Sequence, residues 1–302
     1  MTDIPFRRDD PLPPGQVQHL APALRRILCD NPGPFTSRGT NAWIIGPPGG
    51  DVAILDPGPA HPAHRDALLR ATAADRVTAV LVSHTHRDHS PGAAPLARAL
   101  NVPTLAFSPH LTPPEDGGEG ADHAFTPDRR MPDGAVIDAA TWRLTALHTP
   151  GHCANHLCFA AEGDGIPPGT LLSADHVMSW STSIVSPPDG DMAAYLRSLD
   201  RVIALAPSLL LPGHGAAHDD PAPFLAALRT HRLAREAAIL DALRTATRDG
   251  GGATAADLVP VVYGPTLDPR LAPAAARSLL AHLLKSAADG TSTREGDTFR
   301  IT

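Results

Sequence analysis

The most constraining stretch of this chain is Ser83-His84-Thr85-His86-Arg87-Asp88-His89-Ser90, in which four ligand-type side chains fall within six positions. It directly follows Ala79-Val80-Leu81-Val82, an apolar run that reads as a buried strand. Side chains two apart on an extended segment share a face, so His84 and His86 can grip one ion together. Where the chain turns, Asp88 and His89 can reach a second ion beside the first. Packing alone gives no reason to crowd imidazoles and a carboxylate in this way, whereas metal binding does.

Three further segments repeat the pattern of a ligand-type residue just past a short apolar strand. His152 follows Trp142-Arg143-Leu144-Thr145-Ala146-Leu147 within Thr149-Pro150-Gly151-His152. Asp175 follows Thr170-Leu171-Leu172-Ser173-Ala174, and His214 follows Leu209-Leu210-Leu211 within Pro212-Gly213-His214-Gly215. Strand ends aligned along one sheet edge would bring these residues together, and glycine lets the backbone approach closely. H-x-H-x-D-H followed by His, Asp and His in this order resembles the metallo-β-lactamase-fold hydrolases.

The resemblance implies that His84, His86 and His152 hold one metal, that Asp88, His89 and His214 hold another, and that Asp175 bridges them. The implied cofactor is two divalent ions. Zinc is the first expectation, and manganese or iron suits the same mixed nitrogen and oxygen set. Such a pair, about 3.5 Å apart, can share a hydroxide and polarise the attacked oxygen. Asp88 and Asp175 are then the catalytic carboxylates, one orienting the nucleophile and one holding the ions apart. There is no G-x-S-x-G, so a side-chain nucleophile is not expected.

The 302 residues suit one large domain with a small appendage, and 42% hydrophobic content is enough for a proper core. A formal charge of −7 gives no general attraction to phosphate polymers. Cys29, Cys153 and Cys158 are odd in number and form no C-x-x-C pair, which favours buried thiols and a cytoplasmic setting. Cys153 adjoins His152 but reads as a small buried thiol. Met1–Arg8 lacks an apolar signal core, and no run approaches the ~18 apolar residues of a membrane span.

Residues 1–20 read as a proline-rich arm, with structure beginning near Arg25. Ala42–Gly46 and Asp51–Asp56 read as a hairpin joined by Pro47-Pro48-Gly49-Gly50, with Asp56 either supporting the metal loop or an ordinary turn aspartate. Helices are predicted over Ala63–Ala74, Ala93–Leu100 and Met192–Ala206, and the stretch beginning Pro113-Pro114-Glu115-Asp116-Gly117-Gly118 reads as a mobile loop. The alternation of strands and helices by itself gives a layered α/β fold. The resemblance sharpens this to a four-layer αββα sandwich.

After His214 the chain becomes helical: a long helix over Pro221–Arg248, a Thr254-capped helix, a third over Ala272–Ala288, and a small β-wing at the end. We therefore expect a hydrolase domain over 1–220 and a winged-helix-like domain over 221–302. Within the latter, Asp257-Leu258-Val259, Val262-Tyr263-Gly264 and Ala281-His282-Leu283-Leu284-Lys285 resemble the lactamase-beta-two-like branch, an animal member of which is a single-strand endoribonuclease. RNA is thus one implied partner, but the C-terminal part lacks a dense Lys/Arg stripe, and a small-molecule ester, thioester or lactone is favoured as substrate. A non-catalytic nucleic-acid-binding or scaffold protein is a third reading, disfavoured because every ligand position is filled. A homo-oligomer is compatible with the sequence. His156, His176 and Trp180, close to ligand positions, are expected to line the substrate pocket, the histidines donating to an oxyanion and the tryptophan forming an apolar wall.

Overall fold

In the computed structural model the described residues are 4–114, 120–264, 267–268 and 271–302, so part of the loop read at 113–118 lies outside them. The first sheet has seven strands in sequence order: β1 (Val17–Ala21), β2 (Leu24–Leu28), β3 (Asn41–Ile45), β4 (Asp51–Leu55), β5 (Arg76–Leu81), β6 (Thr104–Ala106) and β7 (Arg129–Arg130). The second is built from β8 (Val136–Asp138), β9 (Trp142–His148), β10 (Leu157–Gly163), β11 (Thr170–Ala174) and β12 (Leu209–Pro212), in the order β12-β11-β10-β9-β8.

The period-2 alternation of these strands dictates the layers. Trp43, Ile45, Leu55 and Leu81 face Leu144, Phe159, Leu172 and Leu211 in a core between the sheets. Their neighbours Ile44, Ile54 and Val80 point the other way, onto α1 (Pro62–Ala71) and α2 (Ala93–Leu100). On the far side, Leu171 and Leu210 meet Tyr195 and Leu199 of α3 (Met192–Ala204). The result is the expected αββα sandwich.

The N-terminal arm is more structured than its proline-rich sequence suggests. Residues 17–20 already belong to β1, and Ile4, Asp10 and Leu12 are buried. The cause is Arg26, which is buried on β2 and pairs with Asp10 at 2.6 Å, so the arm supplies the carboxylate this guanidinium needs.

Helix α4 (Pro221–Ala246) spans two cores. Phe224, Leu225 and Leu228 pack with Leu171 and Leu199, whereas Ile239 and Leu243 pack with α5 (Ala255–Tyr263) and α6 (Ala272–Ala288). At about 1.5–3 kcal/mol for each fully buried large apolar side chain, three such residues anchor the first half of the helix firmly on the sandwich. Thr254 caps α5 in a reciprocal capping box with Asp257. The wing is β13 (Ser292–Glu295) paired with β14 (Thr298–Ile301), from which Phe299 enters the C-terminal core. No helix among the described residues is long and apolar enough to cross a membrane.

Candidate metal centre

All the ligand-type residues leave the carboxyl ends of strands that run in one direction. β4 and β5 are parallel, as are β11 and β12, and β9 and β11 both run antiparallel to β10. Asp56, His84–His89, His152, Asp175 and His214 therefore collect at one edge of the sandwich. Two backbone bonds lock the sheets there, Asn41 N–H to the Gly213 carbonyl at 2.8 Å and Leu157 N–H to the Ser83 carbonyl at 2.7 Å.

Two glycines make the close approach feasible. A Cβ at Gly213 would lie 2.3 Å from Asp175 Oδ1, and one at Gly151, where φ is +138°, would lie 2.3 Å from the Tyr195 backbone.

The residues form two adjoining clusters. His84 Nε2 and His152 Nε2 each lie 3.0 Å from His86 Nδ1. Beside them, His89 Nε2 and His214 Nε2 are 3.3 Å apart, with Asp88 Oδ2 at 3.6 and 3.1 Å from them respectively. Asp175 stands between: its Oδ2 is 3.4 Å from His214 Nε2 and 3.7 Å from His152 Nε2, and its Oδ1 is 3.4 Å from His89 Nε2.

The outer nitrogens explain which way the lone pairs face. His152 Nδ1 donates to the Ile184 carbonyl at 2.7 Å, His214 Nδ1 to the Gly39 carbonyl at 3.0 Å, and His89 Nδ1 to Asp56 Oδ2 at 3.0 Å. When each ring is neutral, these acceptors select the tautomer whose inner nitrogen carries the lone pair. Asp56 is itself held by the Ser83 N–H and hydroxyl, both at 2.7 Å, and so is a supporting group and no mere turn residue.

Electrostatics agree with this donor set. Burial, followed by neighbouring imidazoles, pushes His84 well below the ordinary histidine range, and burial with His152 lowers His86 to about 3. Burial would also depress His214, but Asp175 and Asp88 raise it to about 10. Burial pushes both carboxyls up, yet His89 and His214 hold Asp88 and Asp175 well below the usual range. Ionised carboxylates and unprotonated His84 and His86 are what a divalent cation requires, and the buried Asp175 Oδ1 makes no hydrogen bond; His89 and His214, raised by Asp88 and Asp175, hold protons there that a bound cation would displace. The clusters fit divalent metal.

The site opens into a cleft of about 560 Å³. Phe35, Met178, Ile184 and Pro188 give it an apolar wall, and Arg87 and Arg277 contribute guanidinium groups. The two histidine side chains and the tryptophan expected there sit elsewhere. His156 is fully buried behind the ligands, with Nδ1 2.9 Å from the Thr149 hydroxyl and Nε2 3.3 Å from the Asp175 N–H. His176 is fully buried beside Tyr195, and Trp180 packs near Gly215. None of the three lines the cleft. They follow ligand positions in sequence, but the chain turns them inward.

His110 does line it, with Nδ1 2.8 Å from the Thr85 hydroxyl and a buried Nε2 that makes no hydrogen bond and lies 3.9 Å from Asp189 Oδ1. Burial lowers its pKa although Asp189 opposes the shift. Nothing in the local sequence Ser108-Pro109-His110 marks this role, because its neighbours in space come from other strand ends. Cys153 is a thiol whose pKa burial and then Asp189 push well above the ordinary value, and its Sγ contacts Asn155 Oδ1 at 2.9 Å.

Residues 36–214 match the model of the metallo-beta-lactamase superfamily and residues 254–300 that of the beta-lactamase associated winged helix domain. The chain belongs to the metallo-beta-lactamase superfamily, and it is a hydrolase of that superfamily carrying the associated winged helix domain. Among curated relatives it is 33% identical over 257 residues to an atrochrysone carboxyl ACP thioesterase of Passalora fulva, covering 83% of this chain and 71% of the relative. It is 30% identical to a thioesterase of the same name from Aspergillus chevalieri, covering 84% and 77%. In fold it matches a beta-lactamase domain protein from Burkholderia ambifaria, with a TM-score of 0.78, 24% identity and coverage of 99% and 97%. A metallo-beta-lactamase family protein from Thermus thermophilus gives a TM-score of 0.72 at 22% identity, covering 94% and 100%.

Proposed function

We propose that this chain is a binuclear metal-dependent thioesterase that hydrolyses an acyl thioester whose acyl part lies along the apolar wall of the cleft. The observation that carries this reading is Asp175, whose carboxylate faces both imidazole clusters at the floor of that cleft. His84, His86 and His152 would hold one ion, Asp88, His89 and His214 the other, and Asp175 would serve both. Bound zinc, the first choice for this donor set, supplies Lewis acidity and brings the pKa of water towards neutrality.

The chain's own residues do the rest. Asp88, whose side chain is 27% exposed, accepts a hydrogen bond from the attacking water and orients it. Water oxygen bonds to the thioester carbonyl carbon, the C–S bond breaks, and the thiol leaves with a proton. His110, neutral and with no hydrogen bond at Nε2, donates to the oxygen that gains negative charge. Phe35, Met178 and Ile184 exclude water from the acyl part.

The thioesterase relatives support the substrate class, and their names extend it to acyl groups carried by a carrier protein. The wing gives RNA little to bind, since Arg300 pairs with Glu295 at 2.7 Å and Arg294 with Asp297 at 3.8 Å. Three buried free cysteines suit a reducing, cytoplasmic setting. The test is a panel of an aromatic acyl thioester, the matching ester, a lactone and single-stranded RNA, given to metal-loaded protein. We expect the thioester to be turned over fastest and the activity to vanish with a chelator. Faster RNA cleavage would replace this reading.

A further inference from the structure

A second cavity, of about 250 Å³, lies where the N-terminal segment, residues 181–182 and helices α4, α5 and α6 meet. Its polar lining is Ser181, Thr182, His231, Arg232, Arg235 and Ser278, with no carboxylate among the described lining residues.

Arg232 is the unusual member. Among the described residues, three arginines are almost wholly buried: Arg25, Arg26 and Arg232. Arg25 pairs with Asp75 at 2.7 Å and Arg26 with Asp10 at 2.6 Å. Arg232, only 4% exposed, donates to the Ser183 carbonyl and lies 4.9 Å over the Tyr195 ring. Its Nε has no hydrogen-bond partner, and no carboxylate pairs with it among the described residues. Arg235 lies 4.6 Å over the Tyr263 ring and is likewise without a carboxylate among them. The buried Nδ1 of His231 is also unpartnered. A buried guanidinium without an anion is costly to keep, and Arg232 is one such group with its Nε unused, beside the half-buried Arg235 and three hydroxyl side chains.

We propose that this pocket is an oxyanion site that takes a phosphate group, either free phosphate or a small phosphate monoester. Arg232 Nε and the Arg235 fork bind its oxygens, and the Ser181, Thr182 and Ser278 hydroxyls complete the shell. The volume is many times the roughly 30 Å³ share of one water, so a small organic remainder fits against Phe6 and Tyr263. The site lies back to back with the metal cleft. Met178 and Ile184 line the cleft while Ser181 and Thr182, between them in sequence, line this pocket, and Arg277 and Ser278 of α6 divide in the same way.

The experiment is titration calorimetry and thermal unfolding of the metal-loaded full chain with inorganic phosphate, at constant ionic strength. We expect saturable binding with a rise in Tm, weakened at least tenfold in Arg235→Gln, whose thioester turnover stays unchanged. Arg232→Lys, which keeps the charge but loses the planar fork, should weaken binding several-fold and guards against a folding failure of the first variant. Glycerol phosphate run in parallel separates the sources: tighter binding than phosphate marks a monoester site, equal or weaker binding a site for the free ion. Absence of saturable binding overturns the proposal. So does binding that both arginine variants keep but Asp88→Asn loses, because the ion would then sit in the metal cleft.

Discussion

The cleft and the pocket behind it share a wall, yet they are built from opposite halves of the hydrogen-bonding inventory. The cleft floor is a set of lone pairs: imidazole nitrogens whose N–H groups are turned outward, and two carboxylates. The rear pocket is lined by guanidinium and hydroxyl donors, with no carboxylate among its described residues. Each holds a deeply buried member that bulk water does not reach, Asp175 in one and Arg232 in the other, and each favours the opposite kind of ligand. The difference teaches that the sign of a site depends on the elements supplying its side chains. Strand ends deliver acceptors on the cleft side, while α4 delivers cations on the other.

The largest effect should come from Asp175→Ala. Removal of the carboxylate that faces both clusters should cut metal content at both and reduce thioester turnover by more than the roughly 100-fold upper range for an outer-shell residue. Elemental analysis and single-turnover rates would check this. Phosphate binding at the rear pocket should survive. Its loss alongside the metal would mean that the two cavities are one electrostatic unit, and the contrast between them would fail.

Two subtler variants separate holding the metal from using it. Asp56→Asn weakens the acceptor that orients His89, so metal affinity should drop about 10–100-fold. His110→Gln removes the cleft-wall donor that makes no hydrogen bond at Nε2, and kcat should fall on the order of 100-fold with metal content unchanged. Competitive metal titration and steady-state kinetics on both proteins distinguish the two roles. A His110→Gln protein with full activity would remove His110 from the mechanism.

How much of the molecule is legible in the sequence follows from how local each signal is. The two side-chain clusters can be read because H-x-H-x-D-H is one contiguous motif and His152, Asp175 and His214 each follow an apolar strand, and the helices α2 and α6 carry their periodicity within themselves. β10 is hard to read although its run Leu157–Gly163 lies at the centre of the second sheet, since its ending Ala-Ala-Glu-Gly carries no β-branched residue. The arm reads as merely superficial because the partner of Asp10 is sixteen residues away on β2. Cleft residues such as His110 and Arg277, and the rear pocket as a whole, are assembled from segments far apart in the chain, and no periodicity or spacing encodes them.

The smallest effect, and the one that most sharpens the contrast, is the response to pH. Metal ligands must be deprotonated, so acidification should weaken metal binding at the cleft. The rear pocket should respond with the opposite sign. Burial, with Arg232, Arg235 and His282 adding repulsion, lowers His231 to about 4, well below its ordinary 6.5, so this ring is neutral at physiological pH. A bound dianion offsets that repulsion and raises the pKa of His231 in the complex. By linkage the anion must then bind more tightly as pH falls from 6.5 towards 4, because the complex takes up protons that the free protein does not. The probe should be sulfate, which keeps its charge over this window whereas phosphate does not. We expect sulfate affinity to rise a few-fold between about pH 7 and pH 5, and His231→Gln to flatten that rise without abolishing binding. Affinity that falls on acidification, in step with metal loss, would place the sulfate at the metals. A slope unchanged in His231→Gln would show that another group takes up the proton.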